Sequence, residues 1–147
     1  MGERPVRLQL SRRKGFNLQA LSLATNGLPA VKVDRTTVFG NPFRSHPDLP
    51  RSYAFESQMF RDWMVEVLGA NLMLTKKRRE FWDFKKDMAS AGTDALRHRG
   101  AMLNTSLRML RGKNLACWCP LPKADEPDYC HAAVLLELAN ALPREAP

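Results

Sequence analysis

The chain of 147 residues has the length of one domain and is long enough to bury a continuous core. Its 44% hydrophobic and 26% charged residues are typical of a folded globular protein and exclude a disordered chain. Its apolar runs fall far short of the roughly 20 residues that cross a bilayer, so no membrane association is expected. Three cysteines without an apolar secretory stretch favour the reducing cytoplasm over a disulfide framework.

The formal net charge of +8 is distributed unevenly along the chain. Residues 1–50 carry eight Lys/Arg against three Asp/Glu, and residues 76–113 carry eleven against four. Residues 114–147 reverse this balance, with two basic and five acidic side chains. Such asymmetry favours an anionic partner, a nucleotide or a nucleic acid, although basic side chains also simply keep a small domain soluble.

Alternating segments near the N-terminus predict two β-strands. Residues 6–10 and 31–35 alternate apolar and polar side chains, as a strand buried on one face does. Between them, Asn26-Gly27 and Pro29 are turn signals, from which we predict a loop over residues 17–29.

A basic turn follows the first predicted strand. Arg12, Arg13 and Lys14 are consecutive cations beside Gly15, and glycine lets backbone N–H groups approach a phosphate closely. We predict phosphate binding by these cations and by Lys113, with a solvated turn as the alternative.

Gly40, Asn41, Pro42 and Phe43 predict a loop of fixed shape, because glycine tolerates positive φ and proline extends the residue before it. Such a loop could form a pocket wall together with Trp118 and hold the Asn41 amide ready to orient a substrate. A rigid loop that only closes the core would need the same residues.

Helical spacing of apolar residues dominates the middle of the chain. A helix is predicted over residues 51–68, with Asp48 or Ser52 as its cap. A second helix over residues 75–90 interleaves basic and aromatic side chains, and a third begins near Thr93 and ends at Gly112. The basic helix resembles a nucleic-acid surface, but a solvated helix with its aromatics in the core explains the same residues.

The order of these elements predicts an α/β fold, a single compact domain with a small central sheet flanked by helices. We assign residues 1–142 to this domain, with a helical basic insertion at about residues 70–95. Residues 143–147 are predicted to be a flexible tail.

All three cysteines lie close together near the C-terminus. Residues 115–119 form a short apolar segment that suits a buried strand, on which Cys117 and Cys119 share a face and Trp118 packs on the other. Cys130 and His131 follow a polar loop and open a helix, where a thiol pKa is lowered and anions are attracted.

Three interpretations of this cluster remain open. Cys117, Cys119, Cys130 and His131 could bind tetrahedral zinc, although adjacent Cys130 and His131 are an awkward ligand pair, and His46 or water could replace the imidazole. Alternatively, Cys130 is a metal-free nucleophile with His131 as its base. The third interpretation is that the thiols are small buried hydrophobic groups.

Five motifs, taken in order, resemble those of the domain-of-unknown-function 4326 family, which occurs in bacteria and many tailed bacteriophages. The resemblance spans nearly the whole chain, and the blocks around Cys117-Trp118-Cys119 and Cys130-His131-Ala132 are its most specific parts. The other three motifs lie in residues 6–15, 31–35 and 39–43. The basic region and the loop 120–129 are longer than the family pattern.

The resemblance implies a role around nucleotides or nucleic acid, in agreement with the basic charge. The leading hypothesis is a small cytoplasmic protein, in the host cytoplasm if phage-encoded, that binds a phosphate beside a zinc-containing Cys/His cluster. One alternative is an enzyme on nucleotides or modified bases, with Cys130 or a metal-bound water as nucleophile and with Cys130, His131 and Asn41 as its candidate catalytic residues. The other is a phage accessory protein that binds a host protein through residues 72–90.

Overall fold

Three short parallel strands form the sheet of the protein, whose computed structural model describes residues 4–45, 48–68 and 93–141. They are β1 (Arg7–Gln9), β2 (Ala30–Lys32) and β3 (Asn114–Cys117), in the order β1-β3-β2. Every residue of the central strand is buried, as expected for a parallel strand covered on both faces. The predicted α/β fold is therefore confirmed. Because the strands are parallel, their carboxyl ends share one edge.

The predicted loop over residues 17–29 is wrong, since a helix, α1 (Leu18–Asn26), occupies most of it. Asn17 caps this helix by accepting a hydrogen bond from the Ala20 N–H at 3.0 Å. Gly27, at φ 77°, ends it in the left-handed conformation. The turn signals thus mark the end of a helix. Exposed Leu21 and Leu23 interrupt its apolar periodicity, which explains why the pattern did not predict it.

Three further helices supply the core. They are α2 (Tyr53–Leu68), α3 (Thr93–Ser106), which continues into a 3-10 turn (Leu107–Leu110), and α4 (His131–Ala141). The Ser52 hydroxyl accepts a hydrogen bond from the Phe55 N–H at 3.2 Å, which confirms the predicted cap. The largest fully buried side chains include Phe60, Trp63 and Met64 of α2, Leu103 of α3, and Leu107 and Leu110 of the 3-10 turn.

The loop after β2 is held by backbone contacts that position the site. A Cβ on Gly40 would lie 2.5 Å from the Arg35 Cα and 2.7 Å from the Asp34 carbonyl oxygen, so only glycine fits. From α3, the Arg99 guanidinium donates to the carbonyl oxygens of Thr37, at 3.1 Å, and Gly40, at 2.8 Å. This loop is therefore tied to a helix distant in sequence.

Several predictions fall on residues that the structure does not describe. The helix predicted over residues 75–90, the 143–147 tail and His46 lie outside the described ranges. Within those ranges, no helix has the length and apolar character needed to span a membrane.

Candidate metal centre and adjoining cavity

Three cysteines converge at the carboxyl edge of the sheet. Cys117 is the last residue of β3, Cys119 lies two residues further along, and Cys130 directly precedes α4. Their Sγ atoms all lie within 4.8 Å of one another, and those of Cys117 and Cys119 are 3.9 Å apart. In a tetrahedral site with metal–sulfur bonds of about 2.3 Å, sulfurs are separated by roughly 3.8 Å. The three cysteines could therefore hold a metal ion.

Hydrogen bonds among the three thiols shift their pKa values. The bond with Cys119, followed by the bond with Cys130, lowers the pKa of the Cys117 thiol. The bond to Cys117 raises the pKa of both Cys119 and Cys130. The opposite directions mean that ionisation of one thiol disfavours ionisation of its neighbours, and thiolates are the form that binds metals.

His131 lies beside the three sulfurs but outside the set that falls within 4.8 Å. Its Nε2 is 2.5 Å from the Val33 carbonyl oxygen, which can only accept, so Nε2 carries the proton. Its Nδ1 then presents a lone pair 3.8 Å from the Cys130 sulfur. Burial lowers the pKa of the imidazole and favours the neutral ring. The sequence predicted His131 at the cysteine cluster, and the structure shows in addition which of its ring nitrogens carries the proton.

A buried ion pair fixes both ends of the loop that separates Cys119 from Cys130. The Arg7 guanidinium pairs with the Asp128 carboxylate and donates to the carbonyl oxygens of Cys119, at 2.8 Å, and Pro120, at 2.6 Å. Asp128 in turn accepts from the Cys130 N–H at 3.1 Å. The sequence did not reveal this clamp, because a polar residue in an alternating strand is expected to face solvent.

Trp118 does not pack on the opposite face of the strand as predicted. Since β3 ends at Cys117, strand alternation does not continue through Trp118, and its side chain is 40% exposed. Its indole N–H donates to the buried Asp34 carboxylate at 2.8 Å. Burial alone would raise the pKa of Asp34, but hydrogen bonds from Thr36 and Trp118 outweigh it and lower that pKa. An anionic Asp34 thus anchors the indole.

The predicted phosphate-binding cations lie at different places. The Arg12 guanidinium lies 5.2 Å from the centre of the Trp118 ring. Arg13 and Lys14 are exposed in the turn after β1, which runs to the same edge. Lys113 precedes β3 and therefore lies at the opposite, amino-terminal edge of the parallel sheet. These four residues do not form one set.

A cavity of about 360 Å³ opens beside the three sulfurs. Sequence reasoning missed its two arginines, Arg35 and Arg51, which flank the buried Glu56 carboxylate at 3.4 Å and 3.1 Å. Arg35 and Arg51 are 16 residues apart in the chain, and no local pattern links them, so only the fold brings them together. The remaining lining residues include Asp34, Thr36, Tyr53, Trp118, Tyr129 and His131.

Asn41 and Trp118 are the two predicted pocket residues that line this cavity. The Asn41 amide donates to the Glu56 carbonyl oxygen at 3.1 Å and accepts from the Phe43 N–H at 2.9 Å. Phe43 and Pro42 are buried, and Phe43 meets the Trp63 ring edge-on at 5.7 Å. The motif around Asn41 therefore shapes the cavity wall mainly through its internal hydrogen bonds.

Comparison with known proteins identifies a family. The family described as Domain of unknown function (DUF4326) matches residues 19–141, a range that includes all three cysteines and His131. No curated protein and no solved structure matches the chain. The match covers most of the chain, and the protein belongs to the DUF4326 family.

Proposed function

We propose that this protein binds zinc through Cys117, Cys119 and Cys130 and holds the phosphate of a nucleotide or nucleic acid in the adjoining cavity. One observation carries the proposal. Three sulfurs within 4.8 Å of one another line a cavity that also presents Arg35 and Arg51. Metal ligands and phosphate-binding cations therefore share one site.

The donor set favours zinc. Thiolates are soft ligands, which select zinc, copper(I) or iron–sulfur clusters over magnesium or calcium. Zinc accepts three or four cysteine ligands in a tetrahedral arrangement, and the 3.9 Å between the Cys117 and Cys119 sulfurs fits that arrangement. The same distance is about twice a disulfide bond length, so these two thiols are not paired.

A phosphate suits the cavity because two arginines, Arg35 and Arg51, line it. Arg12 and Lys32 lie nearby, 5.2 Å and 6.0 Å from the centre of the Trp118 ring. The carboxylates of Asp34 and Glu56 also line the cavity and pair with Lys32 and with the two arginines. Arginine offers planar paired donors that match phosphate oxygens, and an incoming phosphate would share these guanidinium groups with Glu56.

A second candidate function is an enzyme acting on nucleotides or modified bases. Three protein ligands leave the fourth tetrahedral position of zinc free for water or substrate, as in catalytic sites. The cavity beside the sulfurs favours this candidate because it gives a substrate access to that position. If His131 Nδ1 is instead the fourth ligand, the site is closed and structural.

Metal and phosphate binding can be tested separately. Protein purified without added metal is expected to contain one zinc per chain, and Cys117→Ser, Cys119→Ser and Cys130→Ser are each expected to lower this content sharply. Zinc retained at full stoichiometry in all three variants would contradict the assignment of ligands. Inorganic phosphate is expected to bind the zinc-loaded protein more weakly as salt rises, because binding releases counterions.

The Arg51→Gln variant tests the phosphate site. Its side chain is 55% exposed, and glutamine removes the charge but can still donate a hydrogen bond to the buried Glu56 carboxylate, which also keeps Arg35 as a partner. Arg13→Gln serves as the control, because it removes another exposed arginine, in the turn after β1. We expect phosphate affinity to fall only in Arg51→Gln, and an equal loss in both variants would contradict a site in the cavity.

A further inference from the structure

The cavity beside the cysteines adjoins a second one. This second cavity has a volume of about 400 Å³ and shares five lining residues with the first: Tyr53, Cys119, Pro120, Tyr129 and Cys130. We call the first the charged chamber and the second the proline chamber. The proline chamber is additionally lined by Leu121, Pro122, Glu126, Pro127 and Asp128. Two of the cysteines therefore lie at the junction of two chambers.

The two chambers differ in chemistry. The charged chamber presents the guanidinium groups of Arg35 and Arg51. The proline chamber is walled by three prolines and a leucine, and its acidic side chains are Glu126 and Asp128, of which Asp128 is already paired with Arg7. A phosphate is attracted to the first chamber and repelled from the second. A ligand with one anionic end and one apolar, flat end would therefore have a single favoured orientation.

The shared wall carries exposed aromatic rings. Tyr53 is 54% and Tyr129 is 50% exposed, although both side chains are large and apolar over most of their surface. The Arg51 guanidinium lies 4.7 Å from the centre of the Tyr53 ring, which holds this cation at the entrance of the charged chamber. Exposed aromatic rings next to cations are the combination that stacks bases and binds phosphates. The Glu126 carboxylate can accept hydrogen bonds from the amino group of a base.

We propose that the ligand is a single nucleotide that spans both chambers. Its phosphate binds at Arg51 and Arg35, and its base stacks on Tyr129 in the proline chamber. This inference rests on the proposed phosphate binding beside the cysteines and adds the part of the ligand that each chamber recognises. The nucleotide is either free or the unpaired end of a single strand, because a base stacked within a duplex cannot enter a chamber.

The test compares four ligands on the zinc-loaded full chain by titration calorimetry. They are adenosine 5′-monophosphate, adenosine, ribose 5-phosphate and inorganic phosphate. We expect the monophosphate to bind more tightly than each of the other three, because it alone fills both chambers. Ribose 5-phosphate that binds as tightly as the complete nucleotide would overturn the proposal.

Substitutions at Tyr129 and Arg51 test which chamber binds the base and which binds the phosphate. Tyr129→Leu is expected to weaken adenosine and its monophosphate by roughly tenfold, since stacking on an aromatic ring is lost, but to leave ribose 5-phosphate unchanged. Tyr129→Phe keeps the ring and is expected to restore binding. Arg51→Gln should weaken both phosphate-bearing ligands and leave adenosine unchanged. Equal losses for all ligands in Tyr129→Leu would show a general structural effect and contradict the assignment.

Further competition experiments distinguish a strand end from a free nucleotide, and they distinguish failure of the proposed function from failure of the present inference. A single-stranded oligonucleotide that competes with the monophosphate identifies a strand end as a ligand, whereas no competition identifies the free nucleotide. A duplex that competes equally well would overturn the requirement for an unpaired base. Absence of zinc or of any phosphate binding contradicts the proposed function itself. Phosphate binding without preference for a base contradicts only the present inference.

Discussion

The Arg7→Met substitution tests whether the buried clamp holds the cysteine loop in place. Methionine has a similar length but cannot donate, so the Asp128 carboxylate and the carbonyl oxygens of Cys119 and Pro120 all lose a donor. The side chains of Arg7 and Asp128 are only 4% and 20% exposed. Removing one partner of a buried pair costs about 3–5 kcal/mol, and because water still reaches Asp128 we expect about 3 kcal/mol.

The same substitution should weaken metal binding. Arg7 contacts the Cys119 carbonyl oxygen directly and reaches the Cys130 N–H through Asp128, so it positions two of the three sulfurs. Groups that orient metal ligands typically contribute about 10- to 100-fold to affinity. We therefore expect the zinc affinity of Arg7→Met, measured by competition with a chelator, to fall at least about tenfold.

Arg61→Met provides a matched control, because Arg61 pairs with Glu137 at 2.7 Å on the surface. Their side chains are 37% and 60% exposed, and such pairs contribute less than about 1 kcal/mol. Urea unfolding should show a small loss of free energy in Arg61→Met and unchanged zinc affinity. Equal destabilisation in the two variants, or unchanged zinc affinity in Arg7→Met, would refute the role of the clamp.

Gly40→Ala should destabilise the protein by about 3 kcal/mol in urea unfolding, because its methyl group would meet backbone atoms that cannot move aside. Gly15→Ala, at φ 84° but with nothing within 4 Å, should cost only about 1 kcal/mol, and equal losses would contradict the close approach. Asp34→Asn should lower the unfolding free energy at pH 7. The pKa of Asp34 in the folded protein lies below its ordinary value of 3.8. The stability that the Asp34 carboxylate contributes is therefore present above pH 3.8 and is lost as the pH falls through the folded pKa. The unfolding free energies of wild type and variant should thus converge in acid. A difference that persists unchanged in acid would contradict an anionic Asp34. Asn114→Ala should lower the unfolding free energy by at least about 2 kcal/mol, because the buried Asn114 amide forms hydrogen bonds with Ser22, Asn26 and the Val6 N–H. These bonds lie away from the cysteines, so the zinc content should not change, and a loss of zinc would contradict this separation.

The sequence predicted those features that depend on residues close together in the chain. The strand before Ser11 and the cap at Ser52 follow from local spacing. The Cys117 and Cys119 sulfurs lie together as predicted, 3.9 Å apart, although the strand ends at Cys117. The helix α1 was missed because its end signals, Asn26 and Gly27, also mark loops. Local patterns do not distinguish the end of an irregularly apolar helix from a loop.

Pairings between distant residues were not predictable. Arg7 meets Asp128 across 121 residues of sequence, and Trp118 meets Asp34 across 84. The motifs that contain Arg7, Asp34 and Trp118 do not indicate which distant residue each one meets, and only the parallel order of the strands brings these partners to one edge. The charged chamber depends on the same topology, which explains why Arg35 and Arg51 were not predicted and why Lys113 lies elsewhere.

The zinc content of protein purified in reducing buffer without added metal tests the central claim most directly. Elemental analysis combined with native mass spectrometry measures both the identity and the number of bound ions. We predict one zinc per chain in the wild type and a sharp loss in Cys130→Ser. A wild-type protein that contains no metal and gains none when zinc is added would contradict the account.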